Sequence, residues 1–279
     1  MIVQLLAVAA VAYLALLLLL RLSESRLLYV PGASRALTAP PAALGLAPER
    51  VEIPTDDGIT LVAWVVRAPG AERAGHWLLV CHGNAGNLAD AGRPEHYAGL
   101  RALGLNLLAF DYRGYGESGG APTETGLYRD AEAAYRFLRE RLQVPADRIV
   151  LFGHSLGSAV AVDLATRVPA AGIVLDGALS SVTARAQELY PYVPVRWLAR
   201  SRYASIEKIG RVSYPKLFLH AREDDVVPIA HGRGLYEAAP PPKTFVAVAG
   251  GHGDAFEADS AVYFGAIARF LASLPPGVT

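Results

Sequence analysis

The feature that most limits what this chain can fold into is a series of short, nearly unbroken apolar runs. They fall at Trp77–Cys81, 105–110, 149–152, 173–175, 216–219 and 244–248. A strand exposed on one face alternates apolar with polar residues, whereas a continuous run belongs to a parallel strand covered on both faces. Helical stretches separate the runs. In 125–142, Leu127, Ala131, Ala134 and Leu138 recur at helical spacing, and 156–167 is rich in Ala and Val. Ahead of the series, 51–55 and 59–67 flank Asp56-Asp57-Gly58, a hairpin signal. These patterns predict an α/β fold. Its sheet has eight strands, mostly parallel, with an antiparallel hairpin at its N-terminal side and helices on both faces. Sites in such sheets form at the carboxyl ends of the strands. No strand pattern appears across 181–212, which holds the Pro-broken aromatic stretch Tyr190-Pro-Tyr-Val-Pro-Val-Arg-Trp197 and reads as a small helical lid.

The N-terminus is of another kind. Residues 1–20 are apolar apart from Gln4 and Tyr13, and about 20 such residues suffice to cross a bilayer core as a helix. No Lys or Arg precedes the run and no small-x-small cleavage site follows it, so an uncleaved single-pass anchor is expected rather than a signal peptide. Arg21, Arg26 and Arg35 follow the span, which by the positive-inside tendency puts the folded domain in the cytoplasm. The Ala- and Pro-rich stretch 21–48 reads as a linker, and 49–279 as the globular domain.

Lys plus Arg and Asp plus Glu number 26 each, and no basic cluster is interleaved with aromatics. Nucleic acid is therefore not an expected partner. Cys81 is the single cysteine, which excludes an internal disulfide and a cysteine-based zinc site, and it reads as a small hydrophobe in a strand. No His/Glu spacing suggests a metal and none of the glycine-rich turns is followed by Lys-Ser/Thr, so no cofactor is expected.

Candidate chemistry starts at Gly153-His154-Ser155-Leu156-Gly157, between an apolar run and an Ala/Val-rich helix. A strand-to-helix turn of this pattern lifts a serine hydroxyl above the sheet beside a helix N-terminus, where developing negative charge is favoured. Its glycines stand where a Cβ would clash. A serine needs a base, and in this topology acid and then His follow it in the chain. Of His220, His231 and His252, the last lies in a Gly-rich loop just past the final run and is the expected base. His220 reads as a strand residue, and His231 as a surface or lid contact. The loop after 216–219 offers Glu223, Asp224 and Asp225 as the acid, with Asp176 at the end of the preceding strand as an alternative. Oxyanion donors are expected from the backbone N–H of Leu156 and, in His82-Gly-Asn-Ala-Gly-Asn87, from that of Asn84.

Four motifs together resemble the membrane-anchored α/β-hydrolase-domain proteins, near the prolyl-oligopeptidase-like serine hydrolases and protein depalmitoylases. They are Cys81-His-Gly-Asn-Ala-Gly-Asn87, Phe110-Asp-Tyr-Arg-Gly-Tyr-Gly-Glu-Ser118, Gly153-His-Ser-Leu-Gly157, and Asp224 with Val227-Pro228 followed by Gly251-His252. The resemblance implies the α/β-hydrolase fold and a Ser155, Asp224, His252 triad, because the family's acid stands four residues before the Val-Pro proline. It also implies structural roles for Asp111 and Arg113. One departure is His220-Ala221, where the family has His-Gly.

The expected activity is ester or thioester hydrolysis through an acyl-serine, on a small-molecule, acyl-lipid or acyl-protein substrate. The alternatives are a serine peptidase of the same fold, for which Glu188 and Glu207 are the lid acids available to a peptide amine, and a non-catalytic membrane scaffold.

Overall fold

The computed structural model describes residues 1–32, 34–40, 42–70, 75–90 and 92–274. Helix α1, Ile2–Leu28, comes first, and its 27 residues extend about 40 Å at the usual helical rise. None of its residues is buried, and among the described residues it is the one helix long and apolar enough to cross a membrane. The helix continues past Leu20 to Leu28, so the start of the stretch expected as a linker is helical.

The sheet then builds up. Strands β1 (Glu49–Pro54) and β2 (Thr60–Val66) form the predicted hairpin about Gly58, whose positive φ of 82° suits a turn. Strand β3 (Trp77–Cys81) leads through α2 (Arg93–Ala102) to β4 (Asn106–Phe110). Helix α3 (Glu124–Arg136), capped by Thr123 and extended by a π-turn at Phe137–Arg141, leads to β5 (Ile149–His154) and α4 (Leu156–Ala165). Strand β6 (Gly172–Asp176) is followed by two short helices, α5 (Val182–Leu189) and α6 (Val195–Leu198). Strand β7 (Lys216–Ala221), α7 (Ile229–Ala238), β8 (Lys243–Val248), α8 (Ala255–Ala258) and α9 (Ser260–Ser273) complete the order.

The eight strands lie in the order β1-β2-β4-β3-β5-β6-β7-β8, and all neighbours are parallel except those of β2. The predicted eight-stranded, mostly parallel sheet is therefore the one observed. Period-two alternation separates its two faces. Leu79, Leu108, Leu151, Leu175 and Phe218 pack under α3, α4 and α7, whereas Leu78, Val80, Leu107, Val150 and Leu217 pack under α2 and α9. Burial on both faces explains why these strands are continuous apolar runs.

Strand order reverses at β3. The chain steps outward from β3 to β4, then returns to β5 on the other side of β3. Loops leaving β3 and β5 part at this point and leave a crevice beyond their carboxyl ends, the place where α/β sheets hold ligands.

Candidate active site

Ser155 sits in that crevice, between β5 and α4. Its backbone has φ 52° and ψ −123°, a conformation that side-chain-bearing residues adopt at a cost, and Ser155 N–H donates to the Asp176 carbonyl at 2.9 Å. The flanking glycines are required by close approach. A Cβ on Gly153 would lie 2.4 Å from the Gly157 carbonyl oxygen, and one on Gly157 would lie 2.0 Å from that of Cys81. Backbone of β3, β5 and α4 therefore meets at the turn with no room for side chains.

His252 lies in the loop after β8, and its Nε2 is 2.8 Å from Ser155 Oγ. Its Nδ1 is 2.7 Å from Asp224 Oδ2. An ionised carboxylate only accepts, so Nδ1 carries the proton and Nε2 accepts from the serine hydroxyl. The other carboxylate oxygen, Oδ1, accepts from the N–H groups of Val226 at 3.1 Å and Val227 at 2.7 Å. Burial pushes the Asp224 carboxyl up, but the hydrogen bonds from His252 and Val227 outweigh it and hold the carboxyl below its ordinary value. Glu223 and Asp225 are exposed on either side of the buried Asp224. Glu223 has another use: it accepts from Gly250 N–H at 2.9 Å, tying the loop after β7 to the loop that carries His252. Ala221, at the family's glycine position, is the last residue of β7, pairs with Val248 and is not among the residues with positive φ.

Asn84, in the loop after β3, and Leu156, which opens α4, line one cavity with Ser155, and each carries a backbone N–H. Among the described residues neither donates to a protein acceptor. Tethers hold the Asn84 loop closely. The Asn84 carbonyl accepts from Val30 N–H at 3.1 Å and from Tyr115 Oη–H at 2.8 Å, and Asn84 Nδ2 donates to the Leu28 carbonyl at 2.9 Å. Residues just after α1 are thus stitched to this loop by a parallel bridge, Val30 with Ala85. Asp111 and Arg113 brace the neighbouring turn: Asp111 Oδ1 accepts from Leu88 N–H at 3.0 Å, and the Arg113 guanidinium spans Asp130 and Asp57 at 2.8 Å each.

Asp176, the alternative acid, does not touch His252. It belongs to a buried polar chain behind the nucleophile that sequence reasoning missed. Asp176 Oδ2 accepts from His154 Nδ1 and from the Tyr263 hydroxyl, each at 3.0 Å, and His96 Nε2 donates to the Tyr263 oxygen at 3.1 Å. Burial pushes Asp176 up, but its bonds, that from His154 foremost, leave it below its ordinary value. Burial also lowers His96 to about 4, so its ring is neutral near pH 7. His96 and Tyr263 lie on helices 167 residues apart in the chain, and no local pattern links them. His220 accounts for itself by donating to the Val227 carbonyl at 2.8 Å, while His231 contacts Ser180 and Glu188.

Ser155 and Leu156 open into a cavity of about 420 Å³ walled by Leu179, by Val182, Leu189 and Val195 of the 181–212 segment, and by Leu20 and Leu28 of α1. Its size falls within the range of small-molecule sites. A cavity of about 470 Å³ also lies between β1 and the end of α3, but its lining includes neither serine nor histidine. Among the described residues no group of His, Cys, Asp and Glu could hold a metal ion.

Known proteins resemble this chain in sequence and fold. Residues 76–205 match the family described as the alpha/beta hydrolase fold. An uncharacterized protein of Mycobacterium tuberculosis is 40% identical over 251 residues, covering 89% of this chain and 87% of that protein. The Arabidopsis thaliana alpha/beta hydrolase domain-containing protein WAV2 is 31% identical over 91% of this chain and 89% of its own length. Among solved structures, a Pyrococcus furiosus esterase superposes with a TM-score of 0.71 at 21% identity, covering 88% of this chain and 98% of that one. These likenesses, together with the sheet order and the strained serine turn, show that the chain belongs to the α/β-hydrolase-domain family.

Proposed function

We infer that the protein is a serine hydrolase that cleaves carboxylic ester or thioester bonds of lipid-like acyl substrates and is tethered by α1 to a membrane, with its folded domain on the cytoplasmic side. The observation that carries the reading is the unbroken hydrogen-bond chain from Ser155 Oγ through His252 to Asp224, at 2.8 and 2.7 Å.

Ser155 Oγ attacks the acyl carbon as His252 Nε2 takes its proton, and Asp224 stabilises the imidazolium that forms. The tetrahedral oxyanion takes its hydrogen bonds from the free N–H groups of Asn84 and Leu156, each worth about 3–4 kcal/mol in such sites. Collapse breaks the bond to the leaving alcohol or thiol, which receives the proton from His252. Water then repeats the sequence on the acyl-serine: His252 takes its proton, and Ser155 leaves with that proton as the acid is released. Apart from substrate and that water, every group named in these steps belongs to the chain. The apolar cavity wall supports an acyl substrate, and the 181–212 segment serves as its lid. A peptidase reading has less support, since Glu188 is held by Arg185 and His231, and Glu207 by Arg202.

Fluorophosphonate labelling of the purified protein tests the class. Label on the wild type that is absent from Ser155→Ala is the expected result, and a well-folded wild type that takes no label would sink it. A p-nitrophenyl ester series tests the substrate. Each methylene accommodated by the cavity should raise kcat/KM by up to about fourfold, the equivalent of about 0.8 kcal/mol, until the cavity is full. A flat series, or one that favours acetate, counts against an acyl-lipid substrate.

A further inference from the structure

The lid does not stand apart from the apolar helix. Tyr13 Oη–H donates to the Tyr192 carbonyl at 2.6 Å, Arg21 Nη1 donates to the Leu198 carbonyl at 2.6 Å, and Glu24 accepts from Ser201 N–H at 2.7 Å. Chain order is the same on both sides, so Tyr192 to Ser201 runs alongside α1 from Tyr13 to Glu24. Tyr13 precedes Arg21 by eight residues, about 12 Å along the helix axis. Where Arg21 and Glu24 mark the membrane surface, the backbone of Tyr192 must lie well inside the apolar layer.

The lid tip is built for that depth. Tyr192 and Trp197 are 89% and 86% exposed, and Leu189 and Tyr190 are more than half exposed. Leu189 and Tyr190 line one cavity with Leu20, Leu27 and Leu28 of α1, no residue of which is buried. Irregular backbone in hydrocarbon is costly unless its polar groups are partnered. Here Pro191 and Pro194 have no N–H to satisfy, and α1 side chains serve the Tyr192 and Leu198 carbonyls. Exposed Arg200 and Arg202 follow the tip, and the long side chain of exposed Arg196, at its very end, reaches out to the same level, where anionic headgroups would meet all three.

We propose that the lid tip, from Leu189 to Trp197, is inserted beside α1 into the leaflet that α1 enters from the folded domain, so that an acyl chain reaches Ser155 from the lipid phase between α1 and the lid. The cavity supports this route, because its lining runs from Ser155 and Leu156 to Leu189 and Tyr190 of the tip, with Leu20, Leu27 and Leu28 on the facing side. The route rests on the hydrolase reading of Ser155, whereas insertion of the tip is tested separately from it.

Trp197 provides the probe. The other two tryptophans, Trp64 and Trp77, are buried in the domain at 4% and 8% exposure. The full chain is reconstituted into phosphatidylcholine vesicles, with or without bromine at mid-chain of the lipid, and compared with Trp197→Phe. The expected result is a blue-shifted emission component that brominated lipid quenches, that aqueous iodide does not, and that Trp197→Phe lacks. A Trp197 component quenched by iodide and not by bromine would place the lid in water and overturn the proposal. Protection from both quenchers would overturn it too, in favour of a covering protein or a second copy of the chain, and so would failure of the protein to float with the vesicles. Fluorophosphonate labelling of the same vesicles reports on Ser155 alone, so loss of label with retained bromine quenching would reject the hydrolase reading and leave the inserted lid intact.

Discussion

At the scale of single residues, the fork at Asp224 decides more than the charge it carries. Oδ1 is held by two backbone N–H groups, so in Asp224→Asn the amide oxygen stays there and Nδ2 takes the place of Oδ2 against His252. That donor forces the proton from Nδ1 to Nε2, where it faces Ser155 as a second donor instead of an acceptor. The variant should fold and lose on the order of 10³–10⁴-fold in kcat, measured on a p-nitrophenyl ester. His96 governs stability instead. Its ring titrates near 6.5 in the unfolded chain but only at about 4 when buried, so between these values the unfolded state binds the extra proton. Stability is therefore full above 6.5 and falls as pH drops towards 4, by at most about 1.4 kcal/mol per pH unit from this residue. Thermal unfolding across that window should show a smaller loss for His96→Gln than for wild type.

At the scale of elements, the loop after β3 is set by its neighbours as much as by its own glycines. Its Asn84 side chain reaches the last carbonyl of α1, and the adjoining backbone pairs with Val30. Asn84→Ala keeps the backbone N–H assigned to the oxyanion but releases the loop from Leu28. Displacement by a fraction of an ångström should lower kcat by roughly tenfold to a hundredfold with little change in KM, since the donor acts in the transition state. An unchanged kcat would mean that the bonds from Val30 and Tyr115 suffice.

At the scale of the molecule, the N-terminal helix acts as a wall of the site as well as an apolar segment. Leu28 lines the cavity that also contains Ser155. Leu28→Trp should shorten the preferred acyl chain in an ester series while small fluorophosphonates still label Ser155. Labelling and preference both unchanged would show that acyl groups do not use that part of the cavity.

The chain's local pattern determined the sheet and the serine turn, because both rest on short-range rules. Burial on two faces requires continuous apolar runs, and the meeting of three backbones at Ser155 requires Gly153 and Gly157. The place of His252 beside Ser155 was legible for a similar reason: its loop directly follows the last strand, and strand ends converge in this topology. Choosing among Glu223, Asp224 and Asp225 from the residues alone was not possible, since three consecutive acids differ only in the direction the turn points them. Tertiary structure buries Asp224 against His252, ties Glu223 to Gly250 and leaves Asp225 exposed. The same holds for the His96, Tyr263, Asp176 and His154 chain and for the lid strapped along α1. The bonds of His96 with Tyr263 and of Tyr13 with Tyr192 join positions 167 and 179 residues apart, and no periodicity or spacing encodes which distant side chains packing will bring together.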